Sequence, residues 1–148
     1  MSVDVKAETV IARPRSDVAE IVFDPKSEVL WIEGMRQVFP QSVGKLAKGA
    51  RLERRGIMAG LEYVSEVLVT NDDPDKMLEL SSPEPFEMKI RYNLEDVEGG
   101  TALKIRIQSV GDVSRIAMPP AILSGKIRED IEGSLKKLKK HMENGSKA

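Results

Sequence analysis

The first residues of the chain alternate between apolar and polar positions, as a half-buried β-strand does. Within the segment 3–12, Val3, Val5 and Ile11 fall on one face, and Lys6 falls on the other. The alternation therefore predicts a strand at this end of the chain, with one face turned toward a core.

The residues that follow change to helical spacing. Pro14 ends the strand, and Ser16 stands where it can cap a short helix whose apolar residues recur every three or four positions. Asp24 offers a second cap, with proline next to it at the first helical position, and predicts a second short helix over 25–34.

From Met35 the two-residue period returns and predicts six further strands. Turn-forming residues, mostly Gly, Pro, Asp and Asn, separate them. Short strands joined by short turns form an antiparallel meander. The predicted strands cover 35–41, 50–58, 61–71, 76–82, 86–96 and 101–110.

A long amphipathic helix is predicted over 119–142, after a pair of prolines. A helix of this length spans about 36 Å, enough to cross a whole sheet. We interpret 143–148 as a frayed tail and the whole chain, 1–148, as one α+β domain. The apolar stripe of the helix consists of Leu123, Ile127, Ile131, Leu135, Leu138 and Met142.

The composition argues against several classes of binding partner, metal site and catalytic nucleophile. The 23 basic and 24 acidic residues leave a net charge of −1, which argues against a nucleic-acid partner. With no cysteine and only His141 as histidine, we expect no metal site, no cofactor and no Ser-His or Cys-His nucleophile. No apolar run approaches a membrane helix, and the charged amino-terminal residues do not resemble a signal peptide, so we expect a cytoplasmic protein. A monomer and a homodimer both remain open.

The order of several weak motifs resembles a known superfamily. The strand-to-helix passage is IARPRSDV (11–18), and Trp31 stands just before the second strand. A glycine-containing loop, GKLAKGARL (44–52), leads into the third strand. A hairpin turns at the acidic-proline segment of VTNDDPDKMLEL (69–80), and the long helix ends in LKKLKKHME (135–143). Together they resemble the START-like (SRPBCC) superfamily, which also holds Bet v 1 and the bacterial polyketide cyclase/dehydrase-type proteins.

The resemblance implies a helix-grip fold: a curved antiparallel sheet of about seven strands around a long C-terminal helix, with two short helices after the first strand. It also implies a cavity between sheet and helix for a lipid, a sterol, a polyketide or another hydrophobic molecule. It does not imply a shared reaction, because folds of this kind carry different functions.

Strand parity and the helical stripe predict which side chains line that cavity. Methionine adapts to varied ligand shapes, and a few polar groups in an apolar pocket orient a ligand. The alternative for each of these side chains is an ordinary place in the core. The predicted ligand-binding residues are Trp31, Met35, Arg54, Met58, Tyr63, Ser65, Met88, Tyr92, Ile105, Ile107, Ser124, Ile127 and Ile131.

Two functions of different classes fit the sequence. The first is a binding module for a small hydrophobic molecule. The second is an enzyme of the cyclase, dehydratase or isomerase kind, in which Arg54 polarises a carbonyl and Tyr63 or Tyr92 donates a proton. The acidic residues of the central strands all fall on the outward face, which favours binding over catalysis. The sequence does not identify the ligand.

Overall fold

The computed structural model describes residues 2–145. Its seven strands form one antiparallel sheet in the order β1-β7-β6-β5-β4-β3-β2, so that the first strand pairs with the last. The strands are β1 (Asp4–Ile11), β2 (Met35–Pro40), β3 (Arg51–Met58), β4 (Leu61–Asp73), β5 (Met77–Ser82), β6 (Met88–Val97) and β7 (Gly100–Ser109). The predicted meander is confirmed.

Two short helical segments and one long helix complete the α+β architecture. Between β1 and β2 lie α1 (Arg15–Val22), a 3₁₀ turn (Pro25–Ser27) and α2 (Glu28–Trp31), and α3 (Pro120–Gly145) follows β7. The order of elements is the one that the change from strand spacing to helical spacing predicts. The predicted end of the second short helix at 34 is wrong, because the backbone is already extended at Ile32 and α2 ends at Trp31.

The two predicted caps have different outcomes. Asp24 caps the 3₁₀ turn, where its carboxylate accepts a hydrogen bond from the Lys26 amide at 3.0 Å. Ser16 does not cap α1, so that prediction is wrong. The helix begins one residue earlier, at Arg15, and the position before it is Pro14, which makes no side-chain cap bond.

The long helix extends to Gly145, into the segment 143–148 that was predicted to be a frayed tail. Its last turns are joined to the first strand and the residue after it, because the Glu143 carboxylate accepts from the Ala12 amide at 2.8 Å and Lys139 Nζ donates to the Val10 carbonyl at 2.6 Å. The tail prediction is therefore wrong for 143–145, and 146–148 lie outside the described residues.

The core lies between the sheet and α3. All six residues of the predicted helical stripe are buried, and they belong to the same apolar cluster as the inward residues of the strands. On β7 these are Leu103, Ile105 and Ile107, opposite Leu94, Tyr92 and Ile90 of β6. The cavity described below interrupts this core near its middle.

Two glycines bring α2 close to the sheet. Gly34 has a φ of +78°, and its carbonyl accepts a hydrogen bond from the Ile57 amide at 3.0 Å. A β-carbon on Gly34 would collide with the Ile57 carbonyl, and one on Gly56 would collide with the Gly34 carbonyl. This close approach sets α2 over the end of β3, where its buried residues face the concave side of the sheet.

Candidate functional site: a cavity beneath the C-terminal helix

A cavity of about 50 Å³ lies between the sheet, α2 and α3. Most of its wall is apolar, with isoleucines from β6, β7 and α3. Ten of the thirteen residues that sequence analysis proposed for ligand binding lie in this wall. They are Trp31, Met35, Arg54, Met58, Tyr63, Tyr92, Ile105, Ile107, Ile127 and Ile131.

The other three proposed residues lie outside the cavity wall. Ser65 is buried, but its hydroxyl is 2.7 Å from that of Ser82 and accepts the Glu84 amide at 3.2 Å, so it fixes the loop after β5. Met88 is fully buried core at the first position of β6. Ser124 is half-buried on the first turns of α3. Strand parity predicts that a side chain lies on the inner face of the sheet, but it does not predict whether that side chain reaches the cavity.

Six wall residues were not among those proposed: Ile32, Glu33, Ile57, Ile90, Asp130 and Ser134. Ile90 lies on the inward face of β6, between Met88 and Tyr92, so strand parity could have included it. Asp130 and Ser134 fall at helical spacing beside Ile127 and Ile131, but their polar character does not suggest a buried face. The other three lie at element ends, where periodicity carries little information.

Arg54 of the cavity wall belongs to a buried ion pair with Glu28, which is not itself a wall residue. Arg54 Nε and Nη2 donate to Glu28 Oε1 and Oε2 at 2.7 and 2.8 Å, and the two side chains are 5% and 1% exposed. Burial by itself would lower the pKa of Arg54, but the Glu28 carboxylate outweighs it, and the pKa is raised. Arg54 therefore keeps its charge, and the pair as a whole is neutral. The carboxylate comes from α2, so the parity of the central strands could not reveal it.

Two tyrosine hydroxyls reach the same space. Tyr92 Oη lies 3.5 Å from Arg54 Nη2, the long limit of a hydrogen bond, and the Tyr63 hydroxyl is 3.9 Å from Met35 Sδ, a weak acceptor. Burial raises the pKa of both tyrosines. Both phenols are thus protonated at neutral pH. Tyr63 donates to Met35 Sδ, whereas Tyr92 accepts from Arg54 Nη2.

Trp31 is the one tryptophan of the sequence and is 1% exposed. Its ring packs edge-to-face on Tyr92, with centroids 5.9 Å apart and planes at 62°. The indole Nε1 is buried and has no acceptor among residues 2–145. Most buried donors in proteins are paired, so this unpaired N–H in a cavity wall is a feature that needs an explanation.

Two hydrogen bonds from α3 hold the segments beside the cavity. Asp130 Oδ2 accepts from the Ala59 amide at 2.7 Å, and Ser134 Oγ accepts from the Glu33 amide at 2.7 Å. The first bond joins the helix to the turn between β3 and β4, and the second joins it to the residues after α2. Desolvation raises the pKa of Asp130 above its ordinary value. Any widening of the cavity on this side must strain or break these bonds.

The described residues contain neither a metal-like cluster nor a membrane-crossing helix. Within 2–145, no three His, Asp or Glu side chains group as metal ligands would. No helix in the same range combines the length and the apolar character that crossing a membrane requires.

Comparison with known proteins identifies the fold. No family model matches the sequence, and no curated protein matches it. Among solved structures, a START superfamily protein from Mycobacterium smegmatis superposes with a TM-score of 0.76 at 14% identity, covering 97% of each chain. The chain has the helix-grip fold of this structure.

Other solved structures share the helix-grip fold with this chain. Ara h 8.0201 matches with a TM-score of 0.70 at 13% identity, over 97% of this chain and 99% of that one. The protein MLL2253 from Mesorhizobium loti matches with a TM-score of 0.72 at 18% identity, over 95% of this chain and 97% of that one. At such identities the likeness is one of fold, so the function must be argued from the cavity itself.

Proposed function

We propose that the protein binds a small hydrophobic molecule in the cavity between the sheet and α3. The observation that carries the proposal is an interruption in an otherwise close-packed core, lined mainly by isoleucine, methionine and aromatic side chains. Ligand pockets are typically concave and apolar, with a few placed polar groups. Here the placed groups are Trp31, Tyr63, Tyr92 and Arg54, whose charge is neutralised by Glu28.

The volume of the cavity limits what can enter without rearrangement. An engineered apolar cavity of about 150 Å³ admits benzene, whereas this one measures about 50 Å³. A ligand as large as a sterol or a polyketide therefore requires the cavity to widen. Met35 and Met58 lie in the wall, and methionine side chains repack at low energy because they are unbranched. Widening on the side of Asp130 and Ser134 would require their hydrogen bonds to Ala59 and Glu33 to break.

An enzyme of the polyketide cyclase or dehydratase type is the second candidate, and the site supports it less well. Arg54 is already paired with Glu28 through two short bonds, which leaves little of its charge to polarise a carbonyl. The raised pKa values of Tyr63 and Tyr92 also make them poor proton donors to a reacting group. A polyketide-like molecule fits this site better as a bound ligand than as a substrate.

Native mass spectrometry of freshly purified protein tests for a co-purified ligand, and thermal denaturation with a hydrophobic library tests for uptake. A molecule that binds only the folded state adds about 2.7 kcal/mol at 100 times its dissociation constant. We expect some apolar compounds to raise the melting temperature, while nucleotides and divalent metals do not.

A pair of substitutions locates the binding site. Ile105→Phe fills the cavity and should remove the ligand-induced shift. Val64→Phe adds a ring on the outer face, where Val64 is 55% exposed, and should leave the shift unchanged. No shift from any apolar compound, or an equal shift in both variants, would contradict the proposal.

A further inference from the structure

The polar groups around the cavity differ in whether they already have a hydrogen-bond partner. If the proposed function holds, the groups that lack a partner determine the chemistry of the ligand. Trp31 Nε1 is a buried donor with no acceptor in the described part of the chain. An indole nitrogen donates and never accepts, so only an acceptor atom can satisfy it. A purely hydrocarbon ligand would leave this N–H without an acceptor and shielded from water.

The hydroxyls of Tyr92 and Tyr63 offer donors as well. The Tyr92 oxygen accepts from Arg54 Nη2, so its own proton does not point at this guanidinium. Among residues 2–145, the hydrogen bond of the Tyr63 hydroxyl is the one to the thioether sulfur of Met35, at 3.9 Å. Three aromatic side chains of the cavity wall thus carry N–H or O–H donors. A ligand oxygen of the carbonyl type, with two lone pairs, satisfies such a set.

Charge in the wall argues against an anionic ligand. The cation of Arg54 is neutralised by Glu28 at 2.7 and 2.8 Å. The carboxylate of Asp130 also lines the cavity, and its hydrogen-bond partner there is an uncharged amide, that of Ala59. A ligand carboxylate would bring a second negative charge into this poorly solvated space, where like charges repel strongly.

We propose that the cavity takes a neutral, largely apolar molecule that carries a carbonyl-type oxygen, and that Trp31 Nε1 donates a hydrogen bond to that oxygen. The proposal deepens the proposed function: it names the acceptor-bearing class within hydrophobic ligands and excludes carboxylates.

Three small probes of similar shape test it: acetophenone, α-methylstyrene and benzoate. In α-methylstyrene a CH₂ group replaces the carbonyl oxygen, so the ratio of the two affinities measures the acceptor. Trp31→Phe keeps an aromatic ring and removes the donor. We expect the affinity of acetophenone relative to α-methylstyrene to fall about tenfold in Trp31→Phe, the effect of one lost hydrogen bond. We expect benzoate at neutral pH to bind more weakly than acetophenone.

The unsubstituted protein provides a readout that does not depend on the folding of the variant. Its single tryptophan gives one indole N–H signal in a ¹⁵N-resolved spectrum. Acetophenone should shift this signal downfield as the hydrogen bond forms, and α-methylstyrene should not.

The outcomes separate the two proposals. If neither neutral probe nor any apolar compound of the library binds, the proposed function fails, and this inference fails with it. If other apolar compounds bind but acetophenone does not, only the inference is overturned. If α-methylstyrene binds, but the affinity ratio is the same in Trp31→Phe and acetophenone does not shift the indole signal, only the inference is overturned. The Trp31 N–H is then paired with water or stays unpaired. Tighter binding of benzoate than of acetophenone would also overturn it.

Discussion

Replacing Glu28 by glutamine should destabilise the protein far more than breaking an ion pair of the same geometry at the surface. Glu28 holds Arg54 through two bonds of 2.7 and 2.8 Å, with side chains 1% and 5% exposed. Asp4 holds Arg106 through two bonds of 2.9 and 2.7 Å, with side chains 49% and 48% exposed. The two pairs differ mainly in burial.

The expected loss follows from what each substitution leaves behind. Glu28→Gln leaves a buried guanidinium with no counter-charge, and removing one partner of a buried pair costs about 3–5 kcal/mol. The glutamine oxygen can still accept one hydrogen bond, which places the expected loss at the lower end of that range. Asp4→Asn leaves Arg106 in water, where its charge remains solvated, so the loss should be a small fraction of the other.

The free energy of unfolding, measured by urea titration at pH 7, tests the comparison directly. The double variant Glu28→Gln/Arg54→Met removes the stranded charge and should regain most of the loss, because replacing a buried pair by apolar groups is often nearly neutral. If Glu28→Gln proves no more damaging than Asp4→Asn, Arg54 reaches solvent in solution. The exclusion of carboxylate ligands assumes a neutral, buried pair, and that assumption would then be wrong.

Two further predictions concern the cavity and its edge. Ile105→Phe should leave the free energy of unfolding unchanged, because the larger ring occupies the cavity. Leu103→Phe, at a fully buried site on the same face of β7, should lower the free energy of unfolding by about 1–3 kcal/mol. Equal losses in the two variants would mean that the cavity is packed in solution. Burial raises the pKa of Asp130 above 3.8, so its protonated form stabilises the fold at low pH, and this stabilisation is lost as the pH rises through the folded-state pKa. The stability of wild type relative to Asp130→Asn should therefore decline as the pH rises from below 3.8 to neutrality, and a difference that does not change with pH would contradict the raised pKa.

Local patterning was enough to predict most of the fold. The alternation of apolar residues located all seven strands, and the stripe from Leu123 to Met142 located the long helix. Each signal depends on a period of 2 or 3.6 residues that local backbone geometry imposes. The errors lie at helix ends: at Ser16, at 32–34 beyond the end of α2, and at 143–145.

Local patterning also predicted part of the candidate site and missed the rest. Parity alone placed Arg54, Tyr63 and Tyr92 on the inner face, because alternation along a strand fixes the side on which a residue lies. Parity could not determine that Ser65 hydrogen-bonds a loop while Ile105 lines a void, since both positions point inward.

The sequence by itself determined the succession of elements and the face of each strand, because these depend on neighbours a few residues apart. Only the tertiary structure decided that Glu28 neutralises Arg54, 26 residues away, and that Trp31 has a buried N–H with no acceptor among residues 2–145. The physical reason is that burial and pairing depend on how α2 docks against the sheet. That docking depends on the close approach of Gly34 and Gly56, two backbone segments that no local periodicity relates.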